Sequence, residues 1–176
     1  MKEKMISLIE KMEGSLLGIG IDDSNMLDKI EENEKIDLCY ILSNGNKIDK
    51  KFKLLKKGKS KTVNIRKLKK YFKKKSIDNI VCDYDVIKKH IRLFQSGSVY
   101  INRGKLYIYG NVKDLKNLEK RYKRYTDEVI LEKNNRSFLL IVDNSKTNNN
   151  IFKDYIYKIS DLFNDLLDFL TDLLAN

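Results

Sequence analysis

Gly18 and Gly20 stand two residues apart at the end of an apolar run, and Asp22 and Asp23 follow at once: SLLGIGIDD over 15–23. A glycine has no Cβ, so its backbone can come close to a ligand. A helix that follows it presents unbonded N–H groups that favour a carboxylate. In open α/β sheets ligands bind at such strand-to-helix corners, beyond the carboxyl end of the strand. A second group, Asp83-Tyr84-Asp85, closes another apolar run and is placed to polarise a substrate. Both groups have a plainer alternative. The glycines serve as well in packing, and the acids as helix caps or as charges at the positive end of a helix.

Other chemistries find little support. Cys39 and Cys82 fall inside apolar strand-like runs and read as small buried residues, not as a disulfide or a metal pair. No Cys/His cluster has zinc spacing, so no metal is expected. The fragments GNK and GKS lack the full phosphate-loop pattern, and no serine elbow occurs. His90, the one histidine, lies on an apolar helical stripe and reads as core. Tyr107 and Tyr109 alternate along one strand face and read as core or sheet-face residues, not as a base-stacking platform.

The net charge of +11 is concentrated. Residues 47–75 hold fifteen Lys and Arg against the single Asp49. Such a block suits RNA or another polyanion, with Lys56, Lys57, Lys59, Lys61, Arg66, Lys69, Lys70 and Lys73 as the contacting residues. The competing reading is a solvated face. The chain has no proline, where average usage gives about nine, and an AT-rich genome writes lysine as its default surface residue.

These residues need a scaffold of alternating elements. Residues 2–13 carry Met5, Leu8, Ile9 and Met12 on one helical stripe, and Gly14 ends it. A strand over 15–21 leads to a helix over 24–33 capped by Ser24, with Met26, Leu27 and Ile30 as its buried face. A strand over 35–43 stops at the Asn44-Gly45-Asn46 turn. Ile48, Phe52 and Leu55 suit a basic helix closed by Gly58, and 62–65 a short strand. A helix over 66–75, a strand over 76–83 and a helix over 85–95 follow, the last broken by Ser96-Gly97. Residues 98–101 and 105–109 are β-rich and separated by Gly104, and 112–125 is an amphipathic helix. TDEVILE, KNNR and SFLLIVDN make a hairpin, since Asn tolerates the positive φ that tight turns need.

This alternation predicts a parallel sheet in a domain over 1–144. A polar linker follows at 145–150, and then an amphipathic helix over 151–176. The seam of that helix, Phe152 to Leu173, packs against its own domain or forms a homodimer with a second copy. No apolar run approaches the roughly 20 residues of a membrane span. The charged N-terminus does not read as a secretory signal, so a cytoplasmic, reduced setting is expected.

The order of elements over about 1–144 resembles the class I S-adenosylmethionine-dependent methyltransferase fold. The first-strand segment Leu16 to Asp23 is similar to that family's strand, glycine turn and helix, with two glycines where a third is usual. The segment Gly104 to Gly110 is similar to its glycine-initiated fifth strand. The resemblance implies a Rossmann-like, mostly parallel seven-stranded sheet with helices on both faces and an antiparallel terminal hairpin. It implies S-adenosylmethionine as cofactor, held by Gly18, Gly20, Asp22 and Asp23, with Asn44 at the ribose in place of the family's usual acid. Asp83 and Tyr84 would then flank the methyl-transfer position, although the acid–proline–proline–aromatic motif of amino-methylating relatives is absent. The implied function is methyl transfer to RNA or another anionic substrate. Two alternatives stand beside it. One is a decayed methyltransferase fold that binds or assembles through its basic face and C-terminal helix. The other is a nucleic-acid-binding protein unrelated to methyltransferases.

Overall fold

The computed structural model describes residues 1–36, 38–42, 58–60, 68–114, 118–126 and 128–145, with backbone alone at 38–42, 58–60 and 114. Seven strands are arranged along the chain: β1 Ser15–Ile19, β2 Leu38–Leu42, β3 Gly58–Ser60, β4 Ile77–Asp83, β5 Asn102–Asn111, β6 Val129–Lys133 and β7 Ser137–Asp143. The helices are α1 Lys2–Ile9, α2 Ser24–Glu32, α3 Leu68–Tyr71, α4 Tyr84–Ile87, α5 Ile91–Ile101 and α6 Leu118–Tyr122. The sheet order is β3-β2-β1-β4-β5-β7-β6. The first five strands in that order run parallel, and β7 runs antiparallel to both β5 and β6. The result is a mixed, Rossmann-like α/β sheet.

Side chains alternate across a strand with period two, and this alternation divides the interior into two cores. Leu17, Ile19, Ile80, Cys82, Leu106, Ile108, Leu140 and Val142 face one way, with Phe94, Leu118 and Tyr122 from the later helices. Leu16, Val81, Tyr107, Tyr109 and Leu139 face the other way, under Met5 and Ile9 of α1 and Met26, Leu27 and Ile30 of α2. β1 is buried along its whole length, as a central strand covered on both faces should be. Each fully buried Leu or Ile stabilises the fold by roughly 1.5–3 kcal/mol over an exposed one.

At the amino ends of the parallel strands polar groups close on one another. The Asp78 carboxylate accepts from the Ser15 backbone N–H at 2.9 Å, the Ser15 hydroxyl at 2.8 Å and the Arg103 Nη2 at 2.8 Å, and Arg103 Nε donates to it as well. Ser15 Oγ in turn accepts from the Asp78 N–H at 2.9 Å. These bonds and the Arg103 charge hold the Asp78 carboxyl down at about 2, with burial opposing them. The buried Asn102 amide donates to the Ile77, Asp78 and Lys105 carbonyls, and its Oδ1 accepts from the Asn144 amide at 2.9 Å.

Several local expectations are revised. Ser96-Gly97 does not end a helix, and Ser98–Ile101 is not a strand: all lie inside α5. A Cβ on Gly97 would stand 3.1 Å from Leu68 Cβ, so this glycine brings α5 close to α3. Ser98 is buried because its hydroxyl donates to the Gln95 carbonyl and meets the Tyr122 hydroxyl at 3.4 Å. The helix expected over 85–95 is α4, a 3-10 turn at Lys88–His90 and the start of α5. The half-buried His90 lies on that turn, not in either core. Gly104 lies within β5, where the β4–β5 register shifts. Gly58 opens the strand β3 instead of closing a helix. Asp23, not Ser24, caps α2.

The hairpin forms where expected but for another reason. Lys75 is the one non-glycine residue with positive φ among the described residues, so the Asn-Asn turn does not use that conformation. Instead the Asn134 side-chain oxygen accepts from the Arg136 N–H at 2.9 Å and the Ser137 N–H at 2.7 Å. Such side-chain mimicry of a backbone turn is the other reason asparagine favours turns. The basic helix over 47–57, the strand over 62–65 and the helix over 151–176 lie outside the described residues.

Candidate functional site

The carboxyl ends of β1, β4 and β5 meet at one corner, since the three strands are adjacent and parallel. Gly20 leaves β1 with φ +69, a left-handed conformation that side-chain-bearing residues rarely adopt. A Cβ built on it would stand 3.4 Å from Asp83 Cβ, which places the two strand ends in direct apposition. The same Cβ would stand 2.3 Å from Val86 Cγ2, so α4 packs onto the bare Gly20 backbone. Gly18 lies deeper, buried within β1 and in register with Ile41 and Val81.

The acids at this corner divide by role. Asp23 Oδ1 accepts from the Asn25 and Met26 N–H groups at 3.1 and 3.2 Å, and its Oδ2 pairs with Lys2 at 3.2 Å. Burial raises its pKa, but those hydrogen bonds and Lys2 outweigh burial and hold it below the usual value. Asp22 is exposed beside it. Asp83 ends β4, is half-buried and accepts from the Asp85 N–H at 2.8 Å. Burial pushes its carboxyl up, the charges of Asp85 and Asp22 add to the rise, and the Asp85 N–H and Lys2 oppose it. Asp85 is tied to Lys88 at 2.6 Å.

Tyr84 lies only 9% exposed in the core on the far face of the sheet, its ring edge-on to Phe138 at 5.7 Å. The ring packs within that core. Tyr109 is a residue whose sequence context suggests only a core or sheet-face role. It pairs in register with Asp83 on the adjacent strand, on the face shared with Val81. It is 6% exposed, and its hydroxyl has no hydrogen-bond partner. Burial raises its pKa strongly, and the charges of Asp83, Asp22 and Asp23 raise it further, so the hydroxyl keeps its proton. The sequence signal for it is a tyrosine at the carboxyl end of the strand beside Asp83.

The remaining expected site residues do not gather here. Lys69, Lys70 and Lys73 are exposed on and after α3. Lys69 Nζ donates to Ser96 Oγ at 2.9 Å and stands 5.3 Å over the Tyr100 ring. Lys59 is a backbone position in β3, and Asn44, Lys56, Lys57, Lys61 and Arg66 lie outside the described residues. Cys82 is buried with a free thiol, as expected. Among the described residues no His, Cys, Asp or Glu group could hold a metal, and no helix is long and apolar enough to cross a membrane.

No protein-family model matches the sequence, and no curated protein does. Solved structures do match in fold. A S-adenosylmethionine-dependent methyltransferase from Aquifex aeolicus aligns with a TM-score of 0.56 at 12% identity, covering 80% of this chain and 88% of that one. An rRNA methylase from Streptococcus thermophilus aligns at 0.55 and 8% identity, covering 80% and 93%. The T. thermophilus 16S rRNA N2 G1207 methyltransferase, solved with AdoMet and guanosine, aligns at 0.53 and 10% identity, covering 82% of this chain and 39% of that one. The chain has a class I methyltransferase-like fold.

Proposed function

We propose that this protein is a small S-adenosylmethionine-dependent methyltransferase acting on RNA or another anionic substrate. The observation that carries the reading is the apposition of Gly20 and Asp83 at the carboxyl ends of β1 and β4, within a sheet of order 3-2-1-4-5-7-6. The chemistry of the corner suits a ligand that bears positive charge, because Asp22 and the half-buried Asp83 lie beside it. When bound, the cofactor supplies an activated methyl group. The chain's part is to align two reactants, which needs few obligatory side chains. Asn44 is assigned to the ribose and the Gly18–Gly20 backbone to the methionine end. Asp83, with its raised pKa, is suited to take the proton that a methyl acceptor releases. Tyr84 supports this corner from the core. The exposed Lys69, Lys70 and Lys73, with the rest of the lysine block, draw in the anionic substrate.

Two observations favour a second reading, in which the cofactor site has decayed and the fold serves as a binding module. Val86 fills the space against Gly20, and the Asp23 carboxylate takes the α2 N–H groups that a ligand carboxylate would use. Calorimetry with S-adenosylmethionine and its demethylated product separates the two. The enzyme reading expects micromolar binding that is lost in Gly20→Leu. It also expects weaker binding in the shape-conserving Asp83→Asn, which keeps the fold because Asn can still accept the Asp85 N–H. Silence at millimolar ligand establishes the second reading instead. For the basic face, a salt titration of RNA binding with a log–log slope near zero would remove nucleic acid from the list of partners.

A further inference from the structure

Tyr109 is held where a purely structural tyrosine gains nothing from its oxygen. Ring burial alone would be served by phenylalanine, and a buried hydroxyl without a partner costs stability. This hydroxyl has no hydrogen-bond partner. The neighbouring strand places Asp83 in register with Tyr109, and Tyr107, two residues earlier, lies on the same face. Besides burial, Asp83, Cys82, Asp22 and Asp23 bear on the hydroxyl, and the three acids lie at the carboxyl-end corner. On the opposite side of the ring's strand, Leu139 of β7 pairs with Tyr109 and offers only an apolar side chain.

We infer that Tyr109 is a positioning residue for the ligand of the acidic corner, its hydroxyl donating a hydrogen bond to an uncharged acceptor atom of a ligand that also carries positive charge. The carboxylates select the charge, and the hydroxyl fixes the orientation. An anionic acceptor is disfavoured there, since Asp22, Asp23 and Asp83 all lie near. The neutral form of the phenol supplies the donor, and a donor that is satisfied only when the ligand arrives contributes to binding without contributing to the ligand-free fold. The inference rests on the proposed reading of this corner as a S-adenosylmethionine site.

The test compares full-length wild type with Tyr109→Phe, using S-adenosylmethionine as the probe and measuring thermal midpoint and affinity on the same preparations. The expected result is a split. The thermal midpoint of ligand-free Tyr109→Phe is equal to or above that of wild type, while its affinity falls about tenfold, the scale of one lost hydrogen bond to a ligand. A merely structural tyrosine would leave affinity unchanged, and wild-type affinity in Tyr109→Phe overturns the inference while leaving the cofactor reading in place. A fall in midpoint with unchanged affinity does the same. No binding by wild type overturns the cofactor reading, and this inference with it. Tyr109→Leu, which removes the ring as well, is the control: it should lower the midpoint, unlike Tyr109→Phe.

Discussion

The two ends of the parallel sheet are built on opposite terms. At the amino ends, Asp78 meets the Ser15 N–H, the Ser15 hydroxyl and the Arg103 guanidinium, and the Asn102 amide bonds three carbonyls. Opposite charges are paired there, and the Asp78 carboxyl is pulled down to about 2. At the carboxyl ends, a half-buried Asp83 has its carboxyl pushed up, and a buried tyrosine hydroxyl has no partner. The first end pairs its half-buried carboxylate within the folded chain. The second carries unmet polar capacity, which is how binding sites trade stability for function.

The contrast breaks most visibly at Asp78. Asp78→Ala strands the Ser15 N–H and the Arg103 charge, and should cost about 2–3 kcal/mol in urea unfolding. The wild type should also show an acid limb that this variant lacks. The folded pKa of Asp78 lies below its ordinary 3.8, so its contribution is complete above that value and is lost as pH falls toward about 2. Urea midpoints measured across that window check the sign.

Gly20→Ala comes next. It combines a left-handed φ with a clash against Val86 and should cost about 1–3 kcal/mol. Adding Val86→Ala should recover part of the loss, as coupled neighbours do in a double-mutant cycle. If the double variant is no more stable than the sum of the singles predicts, the two residues are not in the contact described. The smallest effect is expected at Asp83. Asp83→Asn mimics the protonated acid, so it should raise stability at neutral pH by up to about 1 kcal/mol. Because the folded pKa of Asp83 is raised, that gain should shrink as pH falls from the raised value through 3.8, the reverse of the Asp78 trend. A pH series of thermal midpoints for both variants shows whether the slopes oppose.

Elements whose pattern carries one period were readable in the sequence: the continuous apolar β1, the β4 run, α2 with its stripe and the β6–β7 hairpin. The expected strand-to-helix corner forms at Gly20, while Gly18 lies within β1, and helix capping holds as expected for Asp83. What escaped was set by tertiary contact. Ser96-Gly97 has the composition of a break, but the approach of Leu68 makes the glycine favourable within a helix. Tyr109 differs from Tyr107 only through what stands beside it on β4, and no local pattern reports a neighbour 26 positions away. Val86 reads as one more apolar helical residue until its methyl group is seen against Gly20.

The bond between Ser15 and Asp78 joins positions 63 apart in the chain, while the Asn134 side chain closes its turn with residues two and three positions on. Closing the longer span costs more chain entropy, so the central β1–β4 seam should be acquired late, after the local hairpin. Substitutions at Asp78 should then speed unfolding in a chevron experiment and leave the refolding rate almost untouched. The latch whose strength fades in acid thus acts as the brake on the sheet's opening.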